Sequence, residues 1–190
     1  MRRILLLLTS IVVALGMAAC GKSGQVESEQ NNSTPEATVA ALLDAVKEGD
    51  QTKVNQYVAQ NDSMYSAESE TDITQSKIMF ENITYDIQSV DVIDTEGTAG
   101  VTVDITNIDM NIVMQEYMKK ALEASENSTD MTQEEAMTLL KDSIAENKEN
   151  TITKTVNLEV KKAEDGQWKV KTTDELNTIL TGGLSEETFQ

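Results

Sequence analysis

Thirty-three acidic side chains against 15 basic ones give this 190-residue chain a net charge of −18. That leaves no basic stripe for nucleic acid and no polybasic patch for anionic lipid. Histidine is absent and there is one cysteine, Cys20. A histidine-dependent hydrolase and a His-ligated zinc site are therefore excluded, and with no intrachain disulfide available a folded domain must hold itself by its core.

Arg2 and Arg3 precede an apolar run from Ile4 to Leu15, broken only by Thr9 and Ser10, which leads to Met17-Ala18-Ala19-Cys20-Gly21. The run fits the roughly 7–15 apolar residues of a signal peptide and falls short of the about 20 that a spanning helix needs. Polar residues from Gly21 to Glu27 close it. An ordinary secretory signal is the alternative, since it too ends in small residues. The tetrad Met17-Ala18-Ala19-Cys20 resembles the bacterial lipobox, departing from it at Met17, where leucine is usual. The resemblance implies a lipoprotein signal peptide over residues 1–19, lipidation of Cys20, and a protein anchored in the cell membrane on its extracytoplasmic face. The chemistry agrees with that role. A thiolate is the nucleophile that takes the lipid as a thioether. Two acyl chains, at about 0.8 kcal/mol per buried methylene, give stable anchoring where one does not.

Gly16 to Ser23 also matches the phosphate-loop pattern G-x-x-x-x-G-K-[ST]. Such a loop must follow a buried strand and open a helix. Here it straddles the cleavage point and is followed by polar residues with no helical apolar pattern, so no nucleotide is expected.

Residues 20–33 offer only Val26 for burial and read as a disordered polar tether, spanning about 20 Å on average. An α+β domain is expected over 34–184, with a frayed tail at 185–190. Thr34-Pro35-Glu36 opens a first helix with a cap, a proline at the first turn and an acid at the positive end of the dipole. Val39, Leu42, Leu43 and Val46 share its apolar face, and Gly49-Asp50 ends it and caps a second helix carrying Val54, Tyr57 and Val58. Residues 60–70 read as a loop and 71–80 as a short helix burying Ile73 and Phe80. Ile83, Tyr85 and Ile87 then alternate as a half-buried strand. The alternation slips to Val90 and Val92, which a bulge near Gln88-Ser89 explains. Asp94 to Gly97 turns the chain into a second strand bearing Val101, Val103 and Ile105.

The middle is helical again. Met110, Val113, Met114, Tyr117, Met118, Ala121 and Leu122 hold a 3.6-residue stripe, with Asn107 or Asp109 as cap and a break at Ser125–Thr129. Thr132 and Glu135 form a capping box for the next helix, lined by Met137, Leu140 and Ile144. The methionines of this hairpin read as core, with a binding surface as the alternative. Ile152, Val156, Leu158 and Val160 form a third strand, Asp165-Gly166 a hairpin turn, and Trp168 and Val170 a fourth strand. Thr172 or Thr173 caps a final helix with Leu176, Ile179 and Leu180, ended by Gly182-Gly183.

The string from Thr34 to Asp50, with its proline-led helix and glycine–aspartate step, resembles the opening of nuclear-transport-factor-2-like domains of the cystatin-like superfold. Lys161 to Val170, with a tryptophan beside the turn, is similar to their closing hairpin. The resemblance implies a curved antiparallel sheet of about four strands packed on the N-terminal helices around a cone-shaped cavity. The helical hairpin, at about 107–148, is then an insertion between the two strand pairs. Many such domains occur in lipoproteins of Gram-positive bacteria without an assigned activity. The expectation is a non-catalytic binding or interaction domain, tethered to the membrane through lipid on Cys20. No cofactor and no metal is expected, and its partner is a small molecule, a peptide or an envelope protein. The alternative is a small enzyme using an Asp/Glu–Tyr cavity. Tyr57 and Tyr85 are the tyrosines available to such a cavity, although on apolar stripes they read as core or rim residues with their hydroxyls reaching water, and a cavity plugged by Phe80, Tyr85 and Trp168 would speak against the enzyme.

Overall fold

The computed structural model describes residues 33–59, 64, 77–93, 97–127 and 131–184. The leader, Cys20, the tether as far as residue 32, Ile73, the turn at 94–96 and the tail at 185–190 lie outside the described residues.

Local sequence sets the helix ends. Helix α1 (Pro35–Glu48) starts where the Thr34 side chain accepts from the Ala37 N–H. It stops at Gly49, whose φ of 70° suits the left-handed cap that glycine adopts without strain. Asp50 at once caps α2 (Gln51–Tyr57) by accepting from the Lys53 N–H at 3.0 Å. A helical turn at 77–80 buries Ile78 and Phe80 and leads to the sheet.

The fold is α+β, with a curved, unclosed antiparallel sheet of four strands in the order β1-β2-β3-β4. The strands are β1 (Thr84–Ile93), β2 (Thr98–Ile108), β3 (Thr151–Lys162) and β4 (Trp168–Val170). The bulge falls where the apolar phase slips, between Ile87 and Ser89. Between β2 and β3 stand α3 (Met110–Asn127) and α4 (Gln133–Glu146), and α5 (Asp174–Leu180) follows β4.

One face of the sheet is apolar. Ala99, Val101, Val103 and Ile105 of β2 and Val156, Leu158 and Val160 of β3 meet Val39, Leu42, Leu43 and Val46 of α1. Leu176, Ile179 and Leu180 of α5 join the same cluster. Full burial of each such side chain contributes about 1.5–3 kcal/mol. The β4 edge is closed by the chain leaving α2, because Val58 bridges Val170 and the Ala59 N–H donates to the Val170 carbonyl.

Three expectations need correction. Val90 and Val92 are exposed, although the bulge puts them in phase with buried partners, opposite Val101 and Ala99. They stand on an edge strand past the reach of the covering helices, and periodicity does not encode where a helix layer stops. Helix α3 continues through Ser125 to Asn127 rather than breaking at Ser125. Its apolar stripe is not all core: Met110 and Val113 are buried, whereas Met118 and Leu122 are exposed. Among the described residues one helix packs against this stripe, which is wider than that contact, so its outer edge is left exposed.

Candidate functional site

Cys20, the one residue to which the sequence assigns a covalent role, lies outside the described residues. The described residues instead present three surfaces on which chemistry or binding can be judged: the interior between α1 and the sheet, the outer face of the sheet, and the α3–α4 hairpin.

The interior is occupied by the apolar side chains of the core. Phe80 and Trp168 belong to that core, and Tyr85 packs against it partly buried. The phenol of Tyr85 donates to Asp44 Oδ1 at 3.0 Å and lies 3.3 Å from the Ala40 carbonyl oxygen, tying β1 to α1. Burial of the phenol, reinforced by the Asp44 charge and by the hydrogen bond to it, raises the Tyr85 pKa well above its ordinary value. Its proton is therefore held on the ring oxygen. Asp44 itself is exposed at the rim of this contact. The Tyr85–Asp44 pair thus makes a clasp between a helix and a strand. Tyr57 is buried in the core.

The outer face of the sheet is polar. Asp86 and Asp104 stand opposite each other on β1 and β2, a like-charge pairing that costs stability on a bare sheet. The Gln88 amide offsets it by donating to Asp86 at 2.9 Å and Asp104 at 2.8 Å, and the Thr155 hydroxyl donates to Asp104 at 2.5 Å. Thr106 and Thr153 share a hydroxyl hydrogen bond of 2.7 Å.

The hairpin is held at its base and open along its length. Ile108, Met110 and Val113 join Ile78 and Ile144 in a second apolar cluster there. Beside this cluster, Asn107 does not cap α3 and is buried. Its side-chain amide donates to the Leu180 carbonyl at 2.7 Å, and its oxygen accepts the Ile108 N–H at 2.8 Å. The Met110 N–H donates to the Gly182 carbonyl at 2.9 Å. The first turn of α3 is thus latched to the end of α5. Asp109 supplies the cap, accepting from the Asn111 N–H. The sequence marks Asn107 and Asp109 as polar residues before a helix but carries no sign that one reaches across 73 positions to Leu180.

On α4, Thr132 and Glu135 make the expected capping box. The hydrogen bonds from the Thr132 N–H and hydroxyl to Glu135 lower that carboxylate's pKa below its ordinary value. A shallow depression of about 410 Å³ beside them is lined by Thr132, Glu134, Glu135, Thr138, Leu139 and Asp142. Its acids would attract a cation, but Glu135 is already engaged by its own helix. Among the described residues no group of three or more acids and cysteines is arranged to hold a metal ion. Likewise, among those residues no helix is long and apolar enough to cross a membrane.

No family model and no curated protein matches the chain. Among solved structures it is similar to that of YcdA, a candidate lipoprotein of Bacillus subtilis, with a TM-score of 0.49 and 15% identity. The match covers 78% of this chain and 55% of that one, so this chain spans about half the length of that neighbour. Similarity at that level carries no argument about function.

Proposed function

We infer that this protein is a lipoprotein tethered to the extracytoplasmic face of the cell membrane. Its folded part, residues 34–184, is read as a non-catalytic binding or interaction domain of the nuclear-transport-factor-2-like kind. The observation that carries the reading is the placement of the chain's one cysteine. Cys20 closes an apolar run behind Arg2 and Arg3 and is followed at once by polar sequence. Residues 20–33 then separate the anchor from the Thr34 cap of α1. The domain type is supported by the order of elements, two helices and a strand pair, then a helical insertion, then a second strand pair and a helix. The non-catalytic reading is supported by the lack of histidine and by the Tyr85–Asp44 clasp, which commits that phenol's proton.

The test is metabolic labelling with a fatty acid. Wild-type chain takes up label and appears as a processed form. The Cys20→Ala variant takes up none and accumulates as precursor. A variant that is still cut at the same bond and released would overturn the anchor. Mass spectrometry of small molecules and peptides co-purifying with the protein addresses the ligand.

A further inference from the structure

The sheet and the helical hairpin are buried to very different extents. On the sheet, Val101, Val103, Ile105, Val156, Leu158 and Val160 are fully buried. In the hairpin, burial is confined to the base, at Met110 and Val113 on α3 and Ser143 and Ile144 on α4. Between Met114 and Asp142 every residue whose burial is described is half-buried or exposed, and along that length the two helices pack chiefly on each other. Lys120 bridges to Glu146 at 2.6 Å, but the carboxylate is largely exposed, and a pair of that kind adds little. Seven acids against three lysines over residues 114–142 add self-repulsion.

The chain end closes the base. The Met110 N–H donates to the Gly182 carbonyl at 2.9 Å, and the Asn111 side-chain amide donates to the Gly183 carbonyl at 3.4 Å. Leu184 packs on the cluster that holds Met110, Val113 and Ile144. The Asp109 N–H donates to the Asn150 carbonyl at 2.8 Å, just before β3. Residues 181–184 are thus a strap across the root of the hairpin.

We propose that the hairpin beyond this strap is an arm that unfolds and refolds on its own while the base and the sheet stay folded, with its boundary at Val113 on α3 and Ser143 on α4. Helices α3 and α4 have 18 and 14 residues. Helices near that length are marginal in water unless tertiary packing supports them, and past the base that support is each other's half-buried faces. Segments with few buried apolar contacts and solvent-exposed backbone bonds open at lower free energy than the whole domain. The arm has both properties, whereas the base is tied to the chain end and to the start of β3. The fold thereby holds two states, arm formed and arm melted, on one unchanged sheet. The device uses neither the anchor nor a ligand.

Hydrogen–deuterium exchange of the full chain in mild detergent, read on peptic peptides, tests it. Peptides within 114–142 should exchange faster than those of β2 and β3, and an arm no faster than the sheet overturns the proposal. Ile105→Val separates arm opening from global unfolding. It weakens the sheet, so it should speed the β2 and β3 amides roughly two- to twelvefold and leave the arm unchanged, because the sheet stays folded in the state from which the arm exchanges. Arm amides that speed by the same factor as the sheet exchange only through global unfolding and overturn the proposal. Leu184→Ala loosens the strap. It should speed the base at 107–113 roughly four- to twelvefold, for the loss of half a leucine's burial, and leave the arm unchanged. A base that does not respond removes the strap, and an arm that speeds together with the base removes the boundary; either result overturns the proposal.

Discussion

Gly182 is the position at which the addition of one methyl group should cost most. Its φ is +65°, a conformation that costs an L-residue about 1–2 kcal/mol. A Cβ there would stand 2.3 Å from the Ile108 carbonyl oxygen and 2.5 Å from Met110 Cγ. The methionine can swing away, but the carbonyl belongs to the end of β2 and cannot. The chain after α5 must therefore retreat, stretching the bond from the Met110 N–H to the Gly182 carbonyl and loosening the one from Asn107 to Leu180. Loss of one buried hydrogen bond contributes about 1 kcal/mol, and overpacking of this kind about 1–3 kcal/mol. Gly182→Ala is expected to lose about 3–6 kcal/mol, or roughly 6–24 °C in melting temperature at about 2–4 °C per kcal/mol. Gly166→Ala is the reference. Its φ is +84° but nothing lies within 4 Å of its Cβ, so only the backbone cost of about 1–2 kcal/mol applies. Urea titration followed by fluorescence of Trp168, the single tryptophan, buried on β4, reads both. Equal losses for the two variants would show that the approach to Ile108 is not tight and that the latch does not fix the hairpin base.

Asn107→Ala removes a donor and an acceptor from a buried site and leaves the Leu180 carbonyl and the Ile108 N–H unmatched. It should cost about 2–4 kcal/mol in the same titration, and a loss below about 1 kcal/mol would contradict the latch. Ser143→Ala should do the opposite. The Ser143 hydroxyl is buried with no hydrogen-bond partner among the described residues, and alanine is the better helix former, so a gain of about 1 kcal/mol is expected; a loss would reveal a partner. The Tyr85 pKa is raised in the folded state. Its contribution to stability is fully present below the ordinary tyrosine pKa of about 10 and is lost as pH climbs above it, because the unfolded chain gives up the proton first. Melting curves from pH 8 to 11 should fall more steeply for wild type than for Tyr85→Phe; parallel curves would remove Asp44 and burial as causes.

Both ends of α1 and the starts of α2 and α4 were legible in the sequence because each is a local event, Thr34 with Pro35, Gly49 with Asp50, Thr132 with Glu135, whereas the end of α3 was not. The bulge was legible because it leaves a phase slip between Ile87 and Val90. The alternation of β2 and β3 marked the sheet's buried face, and expectation and structure agree at Val101, Val103, Ile105, Val156, Leu158 and Val160, while Ile152 is half-buried. What escaped is long-range or concerns extent. The Asn107–Leu180 bond joins residues that no local pattern connects. The exposure of Met118 and Leu122 escaped for a different reason. An apolar period identifies a face that is able to be buried, and only the number and reach of the neighbouring elements decide how much of it is. Among the described residues helix α3 has one helical neighbour along most of its length, and its stripe is broad enough for two.

Two uncovered apolar sets remain on the described surface, and their charge patterns separate them. Val90, Val92 and Ile93 run along the open edge of the sheet, where exposed backbone groups would accept another strand. That edge is guarded twice. Asp91 stands between the two valines, and the bulge after Ile87 bends the strand. Both devices are known to discourage edge pairing. The exposed row Gln115, Met118, Leu122 and Ser125 of α3 is itself uncharged, with Lys119 beside it, and its helix is regular from Asn111 to Ser125. The same chain thus blunts one apolar surface and leaves the other neutral and regular.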